Sequence, residues 1–271
     1  MSRRPGMAEL ARDLAAEHHD VAALVAGLDP GAWDTPTPAE GWTVRDQITH
    51  LAWFDAATVT AVTDGAAFAV IRADADADVD GFVERVRKDE SGRQGSEAAH
   101  WWAAERARLV AAVRDLAPDR RVPWFGPEMS LASKVTARIM ETWAHGQDVA
   151  DALGRARPGT DRLRHVAHIG VRARPYSYAV RDRDLPAAEM RVELTAPSGA
   201  EWAWGPEDGP DRVTGAALDF CLVVTQRRHL DDTALDVTPG PAREWMEIAQ
   251  AFAGPAGPGR RPGQFRRGAG G

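Results

Sequence analysis

Four stretches of about twenty residues, all within roughly the first 155 of a 271-residue chain, repeat their apolar side chains at helical spacing. Over 7–28 the repeating positions are Leu10, Leu14, Ala15, Val21, Leu24 and Val25, stopped by Asp29-Pro30-Gly31. Over 44–63 they are Ile48, Leu51, Trp53, Phe54, Val59 and Val62; Thr43 stands at the N-cap and Asp46 takes the acid position of a capping box. Over 96–116 they are Trp101, Trp102, Ala104, Leu109, Ala112 and Val113, and over 130–154 Leu131, Val135, Ile139 and Trp143, with Gly154 closing the helix. Helical spacing gathers each set on one face, and four such faces cover one another best as a four-helix bundle. The chain is therefore expected to be mainly α, with an N-terminal bundle over 7–155.

Between 64 and 95 the pattern loosens. Asp74, Asp76, Asp78 and Asp80 alternate with small residues, but the turn glycine and terminal glutamate of a calcium loop are missing. A solvated loop or helix start is expected there, with a short helix at 82–87. The connection 117–127 holds three prolines and a glycine and offers Trp124 and Phe125 as a pocket rim. Beyond residue 155 the texture changes to that of a small α+β module over 160–254. Its expected elements are a helix running to about 180, a hairpin of 191–195 and 201–205 around Pro197-Ser198-Gly199, a helix over 216–228, a short strand at 234–237 and a last helix over 242–252. The Gly-, Pro- and Arg-rich stretch 255–271 reads as a disordered tail.

Composition removes several classes of function. A net charge of −7 with no long basic stripe argues against nucleic acid as a partner. No run of about 18 uncharged apolar residues exists to span a membrane, and the start of the chain lacks the apolar core of a signal peptide. The single cysteine, Cys221, allows neither an internal disulfide nor a thiolate cluster; in the apolar run 217–224 it reads as a buried inert thiol in a cytoplasmic protein. Of 33 basic residues only Lys88 and Lys134 are lysines, a bias read as a property of the coding sequence.

Chemistry enters with Glu141 and His145, four residues apart on one helical face, and Asp148 three further on. An E-x-x-x-H pair by itself is ordinarily an ion pair, so a third ligand has to come from elsewhere. His50 sits in the middle of the second helix among apolar neighbours, and facing helices of a bundle can bring such distant residues together. Two imidazoles and a carboxylate suit Zn²⁺, with Fe²⁺, Ni²⁺ or Mn²⁺ compatible on ligand type, and three protein ligands leave one position free for a reactant. His18 and His19 are adjacent on a helix, point about a hundred degrees apart and cannot both face one ion. Asp46 and Asp148 fall one turn from the two histidines, in phase to support them.

The stretch Gly41-Trp42-Thr43-Val44-Arg45-Asp46-Gln47-Ile48-Thr49-His50-Leu51, with Glu141-Thr142-Trp143-Ala144-His145-Gly146-Gln147-Asp148 some ninety residues later, resembles the DinB-like superfamily. Within it the chain is most similar to the mycothiol-dependent maleylpyruvate isomerase type and its metal-binding relatives, over most of 7–254. The resemblance implies a bundle holding a divalent metal, usually zinc, through His50, Glu141 and His145. It further implies a low-molecular-weight thiol such as mycothiol, bound and ionised at the metal, and an arginine of the C-terminal module that engages anionic groups, for which Arg227 and Arg228 are the candidates. The expected function is a metal-dependent transferase or isomerase acting on a small molecule. Two alternatives stay open: a thiol-free metal-dependent hydrolase, lyase or cyclase, and a metal- or ligand-binding module without turnover.

Overall fold

The computed structural model describes residues 5–265, and the chain divides into two compact units, one through Arg157 and one from Pro158. In the first, the long helices are α1 (Met7–Val25), α2 (Val44–Thr63), α5 (Gly95–Val113) and α6 (Leu131–Ala152). Each packs against two others: α2 against α5 and α6, and α1 against α5 and α6. The four-helix bundle expected from the apolar spacing is present. Two short helices, α3 (Gly65–Asp76) and α4 (Phe82–Asp89), and a two-residue ladder of β1 (Arg121–Val122) with β2 (Met129–Ser130) decorate it.

The stretch of alternating aspartates, expected to be a solvated loop or a helix start, instead begins in the last turn of a helix that runs to Asp76. Asp64 explains the start, since its carboxylate accepts the Ala67 N–H and caps the new helix. Phe68 and Ala75 are the only residues of α3 that bury, which is why the apolar pattern there was faint.

The bundle core forms two layers. One gathers Leu10 and Leu14 of α1, Val59 and Val62 of α2, Leu109 and Val113 of α5, and Val135 and Ile139 of α6. The other gathers Val21 and Val25, Ile48 and Leu51, Ala98 and Trp102, and Val149 and Ala150 from the same helices. The N-terminal half of α2 therefore lies beside the C-terminal half of α6, and the two run antiparallel. Between the layers sits a buried polar group with one member from each helix. Asp55 of α2 accepts at Oδ1 from Arg138 Nε of α6 at 3.0 Å and at Oδ2 from Trp102 Nε1 of α5 at 3.1 Å, and His18 Nε2 of α1 is 3.3 Å from Oδ2. Burial alone would push the Asp55 carboxyl up, but the charge of Arg138, with His18 and the indole, holds it below the usual carboxylate range.

The second unit carries a four-stranded sheet in the order β4-β3-β5-β6, made of β3 (Met190–Thr195), β4 (Glu201–Trp204), β5 (Asp211–Ala216) and β6 (Asp236–Val237). β3 and β4 are the expected hairpin. β5, which pairs in parallel with β3, was not foreseen, because Val213 is its only fully buried apolar side chain. Val192, Leu194, Trp202 and Val213 are buried, while Arg191, Glu193 and Thr214 are less so.

The helix expected to reach residue 180 is two pieces, α7 (Leu163–Arg172) and α8 (Arg174–Ala179). Pro175 has no N–H to give and its ring opposes the preceding turn, so the helix breaks at Ala173. The helix expected over 216–228 is α9 (Ala217–Val224). It ends where Gln226 turns into the left-handed region (φ 60°), letting the Arg227 and Arg228 N–H groups both reach the Leu222 carbonyl. The last helix is α10 (Pro241–Ile248). Cys221 is fully buried, with its thiol pushed well up by burial.

In the stretch expected to be a disordered tail, residues 255–265 are irregular but tethered: the Gly257 N–H bonds to Gln250 and the Gly263 N–H to Asp232. Residues 266–271 of that stretch lie outside the described residues.

Candidate metal centre

The antiparallel run of α2 beside α6 sets residues near 50 opposite residues near 145. His50, Glu141 and His145 each offer a ligand atom, and these atoms all lie within 4.8 Å of one another. The imidazoles are 4.3 Å apart between ring centres, and His145 Nε2 is 3.3 Å from Glu141 Oε2. All three are partly rather than fully buried, with Glu141 24% and His145 12% exposed in the side chain, so a small molecule can reach them. Zinc–ligand bonds of about 2.0–2.2 Å place ligand atoms roughly 3–4 Å from each other, and the residue types are those a divalent ion takes. The donor set fits such an ion.

Around the three residues the chain builds supports of two kinds. Trp42 lies at 5.3 Å from His50 and stacks at 5.9 Å on His145, while Phe54 closes the other side of His50 at 4.5 Å. Phe54 leads into an aromatic wall of Trp53, Phe82, Trp124 and Phe125. Trp124 and Phe125, offered by the sequence as a pocket rim, thus belong to this surround with Trp42 and Trp53, whereas Trp143 is buried against Arg157.

The second support is polar. Gln47, one helical turn before His50, accepts at Oε1 from His145 Nδ1 and donates from Nε2 to Thr37 Oγ1 at 3.0 Å. Neither residue was anticipated. The signal was the i, i+3 spacing of Gln47 and His50, which places both on the face turned to α6. Asp46, expected to support His50, is spent elsewhere: its Oδ2 accepts from the Thr43 N–H at 2.8 Å and hydroxyl at 2.7 Å, and Oδ1 lies 3.7 Å from Arg87. Asp148 is fully buried.

Two turns before Glu141 on α6, Lys134 is 2% exposed and lies over the Trp124 ring. Burial, with Arg138 beside it, lowers its pKa well below that of an ordinary lysine, and Glu141 and Asp55 offset only part of that.

Arg227 and Arg228 belong to the second unit. Arg227 donates to the Thr225 carbonyl at 2.6 Å with its guanidinium 5.9 Å from the Phe252 ring, and Arg228 lies 4.0 Å over Phe265.

The model of the mycothiol maleylpyruvate isomerase N-terminal domain matches residues 14–150, just over half of the chain and nearly the whole bundle. The chain belongs to this family. Two relatives, uncharacterised proteins from two strains of Mycobacterium tuberculosis, share 49% identity with this family member over 92% of its length and 96% of theirs. Among solved structures, the mycothiol-dependent maleylpyruvate isomerase and its histidine-to-alanine mutant share the fold. The TM-scores are 0.57 and 0.59 at 16% identity, covering 84% and 88% of this chain and 93% and 95% of theirs. A second model, of wyosine base formation, matches residues 186–237, the stretch of β3 to β6. Among the described residues no helix is long and apolar enough to cross a membrane.

Proposed function

We propose that this protein is a metal-dependent enzyme that holds a divalent ion, zinc best fitting the ligands, through His50, Glu141 and His145, and uses a low-molecular-weight thiol such as mycothiol on a small-molecule substrate. The observation that carries the reading is the convergence of the three ligand atoms within 4.8 Å from two helices, in a family whose named member depends on mycothiol. An ion held by these three residues would lower the pKa of a bound thiol and favour its ionised form at neutral pH.

The protein's own residues bind, orient and shield. His50 and His145 would each give the ion a ring nitrogen and Glu141 a carboxylate oxygen. Trp42 and Phe54 flank the ring pair and restrict water beside it. The aromatic wall beyond Phe54 suits the apolar part of a reactant. Within the second unit we assign Arg227 and Arg228, whose guanidiniums are steadied by aromatic rings, to the recognition of anionic groups.

The test is elemental analysis of the purified protein and of His50→Ala, followed by calorimetric titration of mycothiol and simpler thiols into metal-loaded and metal-stripped protein. Thiol binding that requires both the metal and His50 supports the proposal. Tight zinc with no affinity for any thiol favours a thiol-free hydrolase, lyase or cyclase, or a module without turnover.

A further inference from the structure

The polar chain behind His145 takes its direction from Thr37. Thr37 sits in the loop between α1 and α2, where its N–H bonds the Trp42 carbonyl at 2.7 Å and its hydroxyl donates to the same carbonyl at 3.0 Å. With its proton on the Trp42 carbonyl, Thr37 Oγ1 meets Gln47 as an acceptor, and the amide nitrogen of Gln47 faces it at 3.0 Å. The amide oxygen of Gln47, which cannot donate, is then what faces His145 Nδ1. Gln47 is fully buried, so no water competes for its amide.

We infer that Gln47, oriented by Thr37, is a positioning residue that fixes the proton of His145 on Nδ1 and so reserves Nε2 as the ring nitrogen turned to Glu141 and available to a cation. Two features follow from the same loop. Trp42, whose carbonyl anchors Thr37, is also the ring stacked on His145, so one segment sets both the plane of the imidazole and the side on which its proton sits. Gly41, at φ 76°, permits the turn that brings Trp42 back over the site.

The affinity part of this inference rests on the proposed metal reading; the tautomer part does not. Metal-free protein labelled with ¹⁵N at histidine is examined by NMR at alkaline pH, where an ordinary imidazole is neutral. In the wild type the His145 proton is expected on Nδ1. In Gln47→Leu the acceptor at Nδ1 is lost while the Glu141 carboxylate stays 3.3 Å from Nε2, and the proton is expected to move to Nε2. Thr37→Val, which frees the amide to turn its nitrogen toward the ring, is expected to move it in part, and Gln47→Glu to restore it. Zinc affinity, measured by competition with a chromogenic chelator, is expected to fall about 10- to 100-fold in Gln47→Leu and to recover in Gln47→Glu.

A wild-type proton on Nε2, or a Gln47→Leu variant with unchanged tautomer, overturns the inference. If Gln47→Leu fails to fold, Thr37→Val decides it alone: no shift of the proton overturns, a partial shift supports. A protein that takes up no zinc but keeps Nδ1–H in these spectra retains the positioning role and loses the metal function.

Discussion

Asp55 of α2 and Arg138 of α6 meet inside the bundle, the Arg138 Nε and Nη2 at 3.0 and 2.9 Å from Asp55 Oδ1, with both side chains 2% exposed or less. Asp55 lies five residues after His50, and Arg138 three before Glu141. The pair therefore sets how far α2 is slid along α6, and with it the distance of His50 from its partners. Removing one member strands a buried charge. Asp55→Asn is expected to cost about 3–5 kcal/mol in denaturant unfolding, and the double change Asp55→Leu with Arg138→Met to recover most of that stability. Because the folded carboxyl titrates below its unfolded value, the stabilisation is complete above the ordinary aspartate pKa. It is lost as pH falls through the folded value, and the acid limb of the unfolding profile should flatten in the double variant.

Lys134 predicts the opposite sign. Its amine is held well below its unfolded pKa, so between the folded value and the unfolded one the unfolded chain binds more protons, and stability rises with pH. The Trp124 face returns part of the desolvation cost but does not cancel it. Lys134→Met is expected to stabilise the protein at neutral pH by about 1–4 kcal/mol and to remove that rise, as read from thermal unfolding across the alkaline range. A destabilised variant would show that the amine is bound more tightly than its surroundings indicate.

Gly146 lies next to His145 in the middle of α6, where alanine would ordinarily favour the helix by about 1 kcal/mol. A Cβ at this position would stand 2.3 Å from Val21 Cγ2 of α1 and 3.0 Å from Arg157. Gly146→Ala is therefore expected to destabilise by about 1–3 kcal/mol and to weaken metal uptake by displacing its neighbour. Melting curves and metal content on one preparation test both.

Metal binding should appear as stability. A ligand at a hundred times its dissociation constant adds about 2.7 kcal/mol to the folded state. Zinc is expected to raise the melting temperature of the wild type, a chelator to reverse the rise, and His50→Ala to show neither effect. Trp42 is stacked on one ligand and edge-on to another, so its fluorescence should change on titration with zinc in the wild type alone.

The long helices and the three candidate ligands were legible because each rests on a local signal: apolar side chains at helical spacing, and residue types with few uses at an i, i+4 interval. β5 and α3 were not, since each buries too few apolar side chains to show a period and depends on its neighbours for its conformation. The polar layer stayed hidden for a related reason. His18, Asp55 and Arg138 are single polar residues on separate helices, and the packing of the helices is what shows that they coincide. Gln47 and Thr37 could have been found by asking which polar side chain shares a face with His50, a question that helical phase answers for Gln47 and no pattern answers for Thr37.

Cys221, the one sulfhydryl of the chain, is sealed in the interior with its proton held tightly. It cannot form mixed disulfides with an added thiol or compete with it for an electrophile or a soft metal. Any reactive sulfur that an alkylating or chromogenic reagent detects on the native protein has come from outside, and this makes the chain a silent background for measuring which small thiols it recruits.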